Sequence, residues 1–513
     1  MIRAGWEKIR NFILNPIGFG SIVLFMIMLL GAGFLWTQGI SYEYPGPAVA
    51  IAMLAAAIFL VGVGINDLQL KSSRLRSNKE SKTAGLLPLV SGLELLVERW
   101  QGFKPNKDDR QILNVQIQIA LSIMQLHYSG SSQIRFIKYF PGAKIKSGAF
   151  LLTASPNITP LVLKFERLSN IVKEKKSYEH CVQEFLRDTA GKPWEPSQRY
   201  GRIENEDWGA IAYNFVGEGV DPNTLARLQT LGEYYLNNGE RQIVDVLHRT
   251  FKAIEPWWLM RRGWPGDCLR GGIQSVYDEY SRLTRKDKAM LEGIRQVGKT
   301  LDFMALERLE ADLRYLDLDM AKFRNPFNWL NEVFKGRQLA AWSDYQRQDS
   351  IVHGDFHTGN ILIATGKPPK VWLIDFPHAH IGPTIQDLAR LEADIRFGLT
   401  SDETLQTLGI NGLCDFEMVL LPDFDPDAHS LAALVPTDLA PHQQAVSQLP
   451  KVRRTVHLLR EEARKYMSGY DARPYYLALL HATLPMLDYR DRSPWQKLSA
   501  FISAARLCEH LGN

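Results

Sequence analysis

The chain has 513 residues, of which 45% are hydrophobic and 23% charged, and its formal net charge at pH 7 is +4. This length suits about three domains of ordinary globular composition, and so small a charge, spread along the chain, argues against nucleic acid as a partner. The four cysteines lie far apart without a C-x-x-C pair, which favours reduced thiols over a disulfide framework or a structural zinc site.

Two apolar runs near the N-terminus, Ile17–Trp36 and Ala48–Ile65, each approach the length of a helix that spans a bilayer. The link between them has no Lys or Arg, whereas basic residues flank both outer ends. A signal peptide followed by a buried helix is the alternative, but the first run is longer than an h-region and lacks a clear cleavage site. We therefore predict a transmembrane hairpin over residues 1–66 with a cytoplasmic N-terminus. The chain would then be a multi-pass protein of the inner (cytoplasmic) membrane with the rest of its residues in the cytosol.

A polar, Ser- and Lys-rich stem follows the second apolar run, and apolar residues recur at helical spacing between about residues 84 and 128. This pattern predicts two helices within a juxtamembrane region that extends over residues 67–130. The helices either pack on the body that follows or mediate self-association, and the sequence leaves both alternatives open.

A segment with strand-like patterns, residues 131–216, begins with the runs IRFIKYF, GAFLLTA and PLVLKFERL. Gly142 and Gly148 are predicted in the turn between the first two runs, as candidates for covering nucleotide phosphates. The signal is weak, because the turn lacks the G-x-G-x-x-G of protein kinases and many hairpin turns contain Gly. A last strand, WGAIAYNF, runs into a crossover near residues 213–217. Tyr213 and Phe215 are candidate nucleotide contacts there, where backbone groups would read an adenine edge.

Lys164 lies among apolar neighbours in the third run, so it either faces solvent or has a buried partner. A helix predicted over Ile171–Leu186 places Glu174 on the same face as Tyr178 and Cys181. Because Glu174 is the carboxylate on this inward face, we predict that it pairs with Lys164.

The remaining residues, 217–513, are predicted to be mostly helical. They contain GIRQVGKT, in which Gly293, Gly298, Lys299 and Thr300 fit the phosphate-loop pattern. A functional phosphate loop follows a buried strand, but a charged, helical segment precedes this one. We therefore interpret the match as a coincidence.

The most informative stretch is residues 351–376, IVHGDFHTGNILIATGKPPKVWLIDF. It predicts a polar turn followed by a hairpin of two buried strands. Asp355 in the turn is able to accept a hydrogen bond from an incoming hydroxyl group. Asn360 and Asp375 offer the one or two protein oxygens that Mg²⁺ usually takes beside phosphates and water. These groups are what phosphoryl transfer from ATP requires.

The pattern His353, Asp355, His357 and Asn360, followed by Ile374-Asp375-Phe376, resembles the catalytic and metal-binding segments of the aminoglycoside phosphotransferase and choline kinase family. With VWLIDF and DLARLEADIRF added, the chain is most similar to bacterial kinase-like domains called ternary complex associated. The resemblance covers about residues 131–400. It implies an α+β, bilobal protein-kinase-like fold behind the membrane hairpin. Its N-lobe would be residues 131–216, and an enlarged helical C-lobe, residues 217–513, would hold the catalytic loop.

The resemblance also implies roles for individual residues. Asp355 would be the catalytic base, and Asn360 and Asp375 would hold Mg²⁺. Lys164 would grip the α- and β-phosphates of ATP, oriented by Glu174. His353 would brace the catalytic loop, and Asp387 would accept hydrogen bonds from the backbone of that loop. His357 would either be structural or touch phosphate.

Two departures from protein kinases favour a small-molecule kinase: the missing glycine pattern and the short stretch between Asp375 and Asp387, which has no room for a long activation loop. We expect a membrane-anchored, ATP- and Mg²⁺-dependent phosphotransferase that acts on a hydroxyl group of a small-molecule or lipid-derived acceptor. An alternative is a pseudokinase-type scaffold that binds nucleotide and assembles partner proteins in a signalling or conflict system. A third hypothesis, an NTPase built on Lys299, predicts that nucleotide binding depends on Lys299 rather than on Lys164.

Overall fold

The computed structural model describes the chain in fifteen stretches: residues 89–91, 133–141, 148–155, 161–186, 190, 192–194, 201–203, 206–214, 228–259, 276–318, 321–335, 349–366, 368–420, 445–467 and 472–512. All of them belong to one compact unit, Pro88–Asn513. None of the helices in these stretches is long and apolar enough to cross a membrane. The two predicted membrane spans, Ile17–Trp36 and Ala48–Ile65, lie outside the described residues.

A seven-stranded sheet forms the first part of the described chain, and a mixed α+β fold is confirmed. Its strand order is β1-β2-β3-β4-β7-β5, with β6 paired to β7. All pairings are antiparallel except that of β1 with β2. The strands are β1 (Leu89–Ser91), β2 (Gln133–Pro141), β3 (Gly148–Ser155), β4 (Leu161–Arg167), β5 (Lys192–Trp194), β6 (Gly201–Ile203) and β7 (Glu206–Asn214).

The two faces of this sheet differ, because successive side chains on a strand point to opposite sides. Phe136, Phe150 and Phe165 share one face, and their rings pack edge to face with centroids 5.8 and 5.7 Å apart. Lys164 is on the other face with Val162, which packs in the main core. The predicted strands are therefore confirmed, and Lys164 points towards the rest of the unit rather than to open solvent.

One expectation for the juxtamembrane region is wrong at the residues that the structure describes. Leu89–Ser91 forms a strand parallel to β2 rather than part of a helix. The edge of a sheet offers unpaired N–H and C=O groups, and pairing with them overrides a local helical period. The other residues of the two predicted helices lie outside the described stretches.

A second, smaller sheet has the order β13-β12-β8, and a separate pair joins β11 to β14. The strands are β8 (Leu228–Thr230), β11 (Asp349–Val352), β12 (Ile361–Ala364), β13 (Lys370–Leu373) and β14 (His380–Pro383). β12 and β13 are the predicted hairpin, and all four residues of β12 are buried. The large and small sheets are linked by Lys138 on β2, whose Nζ donates to the Leu228 carbonyl (3.1 Å) and to Glu233 (2.7 Å).

Eleven α-helices lie in the described stretches. Their bounds are α1 (Leu168–Ser177), α2 (Leu231–Asn237), α3 (Glu240–Trp258), α4 (Val276–Leu301), α5 (Met304–Glu307), α6 (Pro326–Leu330), α7 (Ile385–Asp394), α8 (Asp402–Leu420), α9 (Leu449–Arg464), α10 (Arg473–Thr483) and α11 (Pro494–His510). Helix α1 packs on the large sheet, and α2 and α3 pack on the small sheet. Short π-helical turns continue α1, α6 and α7, and 3₁₀ turns precede β12, α9 and α11.

Two predictions for the helical part have clear outcomes. The phosphate-loop match lies inside α4, which contains Gly293 and Lys299, so its interpretation as a coincidence is confirmed. The helical pattern predicted for residues 217–513 also covered the segment LRYLDLDM, residues 313–320, and there the prediction is wrong. Tyr315–Leu318 is instead a strand, β9, which pairs with β10 (Ala321–Arg324). Its residues alternate between exposed and buried, which is the period of a strand rather than of a helix.

A buried ion-pair network holds the helices together. The Glu392 carboxylate on α7 accepts hydrogen bonds from Arg460 on α9 (3.0 and 2.7 Å), Arg396 (3.1 Å) and the Tyr475 hydroxyl on α10 (2.7 Å). Glu392 and Arg460 are fully buried. Burial favours the neutral acid, but the two arginines keep the pKa of Glu392 below its ordinary value.

We expect Glu392→Gln to lower the free energy of unfolding by about 3–5 kcal/mol, because it leaves the buried Arg460 without its counter-charge. Arg396 would keep its second ion pair, with Glu417. Chemical denaturation at pH 7 measures this change. Glu179→Gln is the matched control, since Glu179 forms an exposed pair with Lys175 and its loss should cost about 0.5 kcal/mol or less. Equal effects of the two variants would contradict the assigned role of the network.

The stabilisation that Glu392 provides, measured as the difference between wild type and Glu392→Gln, should depend on pH. Because the folded-state pKa of Glu392 is lowered, its stabilising contribution is fully present above its ordinary value of 4.5 and is lost as pH falls through the lower folded value. The difference in unfolding free energy between wild type and Glu392→Gln should therefore shrink on acidification below 4.5. A difference that grew on acidification would be inconsistent with an ionised Glu392.

Candidate functional site

Lys164, Glu174 and Asp375 meet at one point between the large sheet and the hairpin. The Lys164 ammonium donates to Glu174 Oε2 at 2.8 Å and to Asp375 Oδ1 at 2.6 Å. Burial disfavours the charged amine, but Asp375 and Glu174 raise the pKa of Lys164 above its ordinary value. Lys164 therefore stays a cation, and the predicted pairing with Glu174 is present.

Helix α1 presents Glu174 to this lysine. Glu174 is fully buried, and its burial raises the pKa of the carboxyl group, whereas the charge of Lys164 opposes the shift. The helix is tied to the helical part of the unit, because Trp257 Nε1 on α3 donates to the Cys181 carbonyl at 2.7 Å. The position of Glu174 thus depends on both the sheet and α3.

The loop predicted to be catalytic, which we call the catalytic loop, runs from His353 to Asn360, between β11 and β12. Its first two N–H groups, of His353 and Gly354, donate to the Asp387 carboxylate at 2.8 and 3.0 Å. The interaction predicted for Asp387 is therefore present. Gly354 has a φ of +75°, and a Cβ atom there would lie 2.3 Å from the His378 carbonyl oxygen, so only glycine fits this turn.

The buried ring of His353 supports the loop from the protein interior. Its Nε2 lies 2.9 Å from the Ile374 carbonyl, and its ring packs against Phe356 and Phe376. Complete burial lowers the pKa of His353, so the ring is a neutral donor to that carbonyl. The contact joins the catalytic loop directly to the residue before Asp375.

Asp355 is at the open side of the loop, with a side chain that is 36% exposed. The Arg390 Nε donates to its Oδ1 at 3.2 Å, and His357 Nε2 lies 3.6 Å from its Oδ2. Burial opposes ionisation, but the charges of His357 and Arg390 lower the pKa of Asp355 to about 2. The carboxylate is therefore ionised and is able to accept a hydrogen bond from an incoming hydroxyl group.

A backbone hydrogen bond brings Asn360 close to the residue before Asp375, since the Ile374 N–H donates to the Asn360 carbonyl at 3.1 Å. The Asn360 amide donates to the Asp355 carbonyl at 2.9 Å, which leaves its side-chain oxygen available. Asp375 adopts a left-handed φ of +69°, an uncommon conformation for a residue other than glycine. Such backbone conformations are concentrated at functional sites.

These two side chains fit magnesium. Within the described stretches, no cluster of three or more His, Cys, Asp or Glu side chains is placed to hold a metal ion. Magnesium at a nucleotide does not need such a cluster, because one or two protein oxygens suffice beside phosphates and water. Asn360 would contribute an amide oxygen and Asp375 a carboxylate for that purpose.

Two of the predicted nucleotide contacts require correction. Gly148 is paired on one side with Pro141 and on the other with Phe165, so it starts β3 rather than lying in the turn. Tyr213 lies inside β7 between β4 and β5, and its main chain is not at a free sheet edge. Its register opposite Val162 does put it on the same face as Lys164. Gly142 and Phe215 lie outside the described residues.

Sequence reasoning missed Arg390 and Asp394, both on α7. Asp394 is buried and accepts hydrogen bonds from the Thr358 N–H (3.0 Å) and hydroxyl (2.6 Å). A signal was present, because Asp387, Arg390 and Asp394 recur at i, i+3 and i+7, on one face of a helix. The three side chains contact the catalytic loop in sequence order, from His353 to Thr358.

Residues 265–488 match the family model of ternary complex associated domain 9. A relative named "Probable protein kinase UbiB", from Pseudomonas putida, is 21% identical over 262 residues, which cover 45% of this chain and 48% of the relative. The chain thus spans about half the length of this curated relative. The predicted similarity to ternary complex associated, kinase-like domains is confirmed.

Solved structures with similar folds include an ethanolamine kinase of Plasmodium vivax, with 10% identity, a TM-score of 0.32, and coverage of 82% of this chain and 98% of that one. A glucosamine kinase has 12% identity, a TM-score of 0.33, and coverage of 77% and 99%. Both TM-scores are below 0.5, so the site assignment depends on the hydrogen bonds described above. The chain resembles kinase-like proteins, and the catalytic loop from His353 to Asn360 lies within its match to a ternary complex associated domain.

Proposed function

We propose that this protein is an ATP- and Mg²⁺-dependent phosphotransferase that uses a hydroxyl group as acceptor. The observation that carries the proposal is the position of Lys164, which contacts Glu174 and Asp375 at once. This contact joins the sheet, α1 and the metal-binding strand end at one point. Phosphoryl transfer depends mainly on positioning and on stabilising charge, and a cation and acidic ligands so arranged supply both.

Each group has a separate task in this proposal. Lys164 binds the α- and β-phosphates, and Glu174 fixes its direction. Asp355 orients the acceptor hydroxyl and accepts its proton, while Arg390 keeps the carboxylate in place. Magnesium held by Asn360 and Asp375 would neutralise charge on the transferred phosphoryl group.

We further propose that residues 17–65 anchor the protein in the inner membrane, with the site in the cytosol. The support is the length of the two apolar runs and the basic residues at their outer ends. A tether would raise the local concentration of a lipid-derived or membrane-bound acceptor. The proposed acceptor is therefore a hydroxyl group of a small molecule or of a lipid-derived compound.

The lysine assignment predicts that Lys164→Met weakens nucleotide binding. Loss of a charge-assisted contact of about 1.5–3 kcal/mol corresponds to an affinity for ATP that is about tenfold to a hundredfold lower. Lys299→Met on α4 is the matched control and should bind ATP like wild type. Calorimetric titration measures both affinities. Weakened binding only in the Lys299 variant would favour the phosphate-loop hypothesis instead.

Asp355→Asn should reduce phosphoryl transfer about 10²- to 10⁴-fold, the usual contribution of a general base, and leave ATP affinity nearly unchanged. The measurement is a screen of metabolites and lipids for ATP-dependent phosphorylation by the purified protein. Asp245→Asn is the matched control, because Asp245 is an exposed residue of α3. An Asp355→Asn protein as active as wild type would refute the role of this residue. Wild-type protein that binds ATP but phosphorylates no offered acceptor would support the scaffold alternative.

The membrane proposal predicts that the full chain sediments with membranes after salt and carbonate washes, whereas a chain that begins at residue 67 does not. A reporter that is active only in the cytosol should be active when fused at either terminus of the full chain. Activity of an exported reporter at the C-terminus would contradict the proposed orientation.

A further inference from the structure

A buried clamp holds the turn just before Asn360. Asp394 Oδ2 accepts two hydrogen bonds from Thr358, and its Oδ1 accepts one from Arg492 Nη2 at 2.9 Å. Thr358 and Asp394 are each 4% exposed. Arg492, Asp394 and Thr358 thus form a chain that connects the segment before α11 to the catalytic loop, and we call these three residues the clamp.

Two glycines make room for the clamp. A Cβ atom at Gly398 would lie 2.9 Å from Arg492 Nη2 and 3.1 Å from Asp394 Oδ1. A Cβ atom at Gly232 on α2 would lie 3.0 Å from the Thr358 hydroxyl oxygen. Neither glycine has a positive φ, so the backbone conformation would accept another residue at either position. A side chain there would instead collide with the residues of the clamp.

The segment that supplies Arg492 is itself fixed in place. Ser493 caps α11 through a capping box with Gln496. The Gln496 amide donates to the carbonyl groups of Gly398 (3.3 Å) and Thr400 (3.1 Å). These contacts tie the start of α11 to the turn that follows α7, and so help to place Arg492 beside Asp394.

The turn that the clamp holds carries a candidate metal ligand. Thr358–Asn360 is a single 3₁₀ turn, and Asn360 is also held by its own bond to the Asp355 carbonyl. Only Gly359 separates Thr358 from Asn360, so a shift of Thr358 would move the Asn360 side chain relative to Asp375. Displacements of about 1 Å at a reacting centre are enough to change rates strongly.

We propose that Arg492 and Asp394 are positioning residues for Asn360, and that the C-terminal segment after residue 488 is therefore a working part of the site. This inference rests on the proposed function, because it assigns the purpose of the clamp to magnesium binding. Arg492 lies beyond the residues that match the family model, which end at 488. The clamp thus extends the site past the recognised domain.

The first test needs no nucleotide. Hydrogen exchange of the peptide around residues 356–362 is compared in wild type, Arg492→Gln, Gly398→Ala and Thr358→Val. We expect faster exchange at Thr358 and its neighbours in all three variants, and exchange close to wild type in Thr358→Ser, which keeps the hydroxyl group. Arg249→Gln removes an exposed pair with Asp245 and is the matched control. Exchange rates equal to wild type in all three variants would contradict the proposal that the clamp holds the turn at Thr358.

The second test measures ADP affinity with and without Mg²⁺ for the same proteins. In the presence of Mg²⁺, the clamp variants should bind ADP about tenfold more weakly than wild type, as expected for loss of one charged hydrogen bond. Without Mg²⁺, their affinity for ADP should equal that of wild type. Equal losses in both conditions would show general damage and overturn the assignment to Asn360. Wild type that binds no ADP would refute the proposed function, whereas the exchange experiment would still decide whether the clamp exists.

Discussion

The site depends on one face of helix α7. Asp387, Arg390 and Asp394 are spaced so that their side chains emerge in a row. They contact in turn the N–H groups at the start of the catalytic loop, the Asp355 carboxylate and Thr358. A loop of polar residues has no conformation of its own that would hold Asp355 and Asn360 in register. The helix supplies that conformation, because charged hydrogen bonds to a carboxylate are stronger than neutral ones.

Helix α7 is able to do this because its opposite face is buried among the other helices. Glu392 on the same helix meets Arg460 and Tyr475 from α9 and α10. A buried charge without its partner is costly, so this network permits few alternative packings of α7. The position of the catalytic loop is thereby linked to the packing of helices that are distant from it in sequence.

The other half of the site is held by contacts between the large sheet and the hairpin. Lys164 comes from the sheet, and Asp375 follows β13, 211 residues further along the chain. Lys138 makes a second connection, to Glu233 and the Leu228 carbonyl at the small sheet. Two lysines of the large sheet, Lys138 on β2 and Lys164 on β4, therefore make charged contacts with the part of the unit that holds the small sheet. In the proposed function, this geometry would place Lys164 and the candidate metal ligands Asn360 and Asp375 beside one nucleotide.

Local patterns predicted much of this arrangement. The hairpin β12–β13, the strands around Lys164 and the inward face that carries Glu174 follow from apolar periodicity, and the structure has them where the sequence indicates. The predictions were wrong where pairing with a distant strand overrode a local period. Leu89–Ser91 joins the edge of β2, and Tyr315–Leu318 pairs with β10 instead of continuing a helix.

By itself, the sequence determined which side chains are available for chemistry: the polar loop from His353 to Asn360, Asp375 after a buried strand, and a lysine among apolar residues. Only the tertiary structure decided which of them meet. Arg390 and Asp394 show only a helical spacing with Asp387, and Arg492 carries no local motif. Their roles arise because α7 and the segment before α11 pack beside the catalytic loop. Short-range patterns specify strands and helices, whereas contacts between residues about 100 or 200 positions apart depend on how those elements pack together.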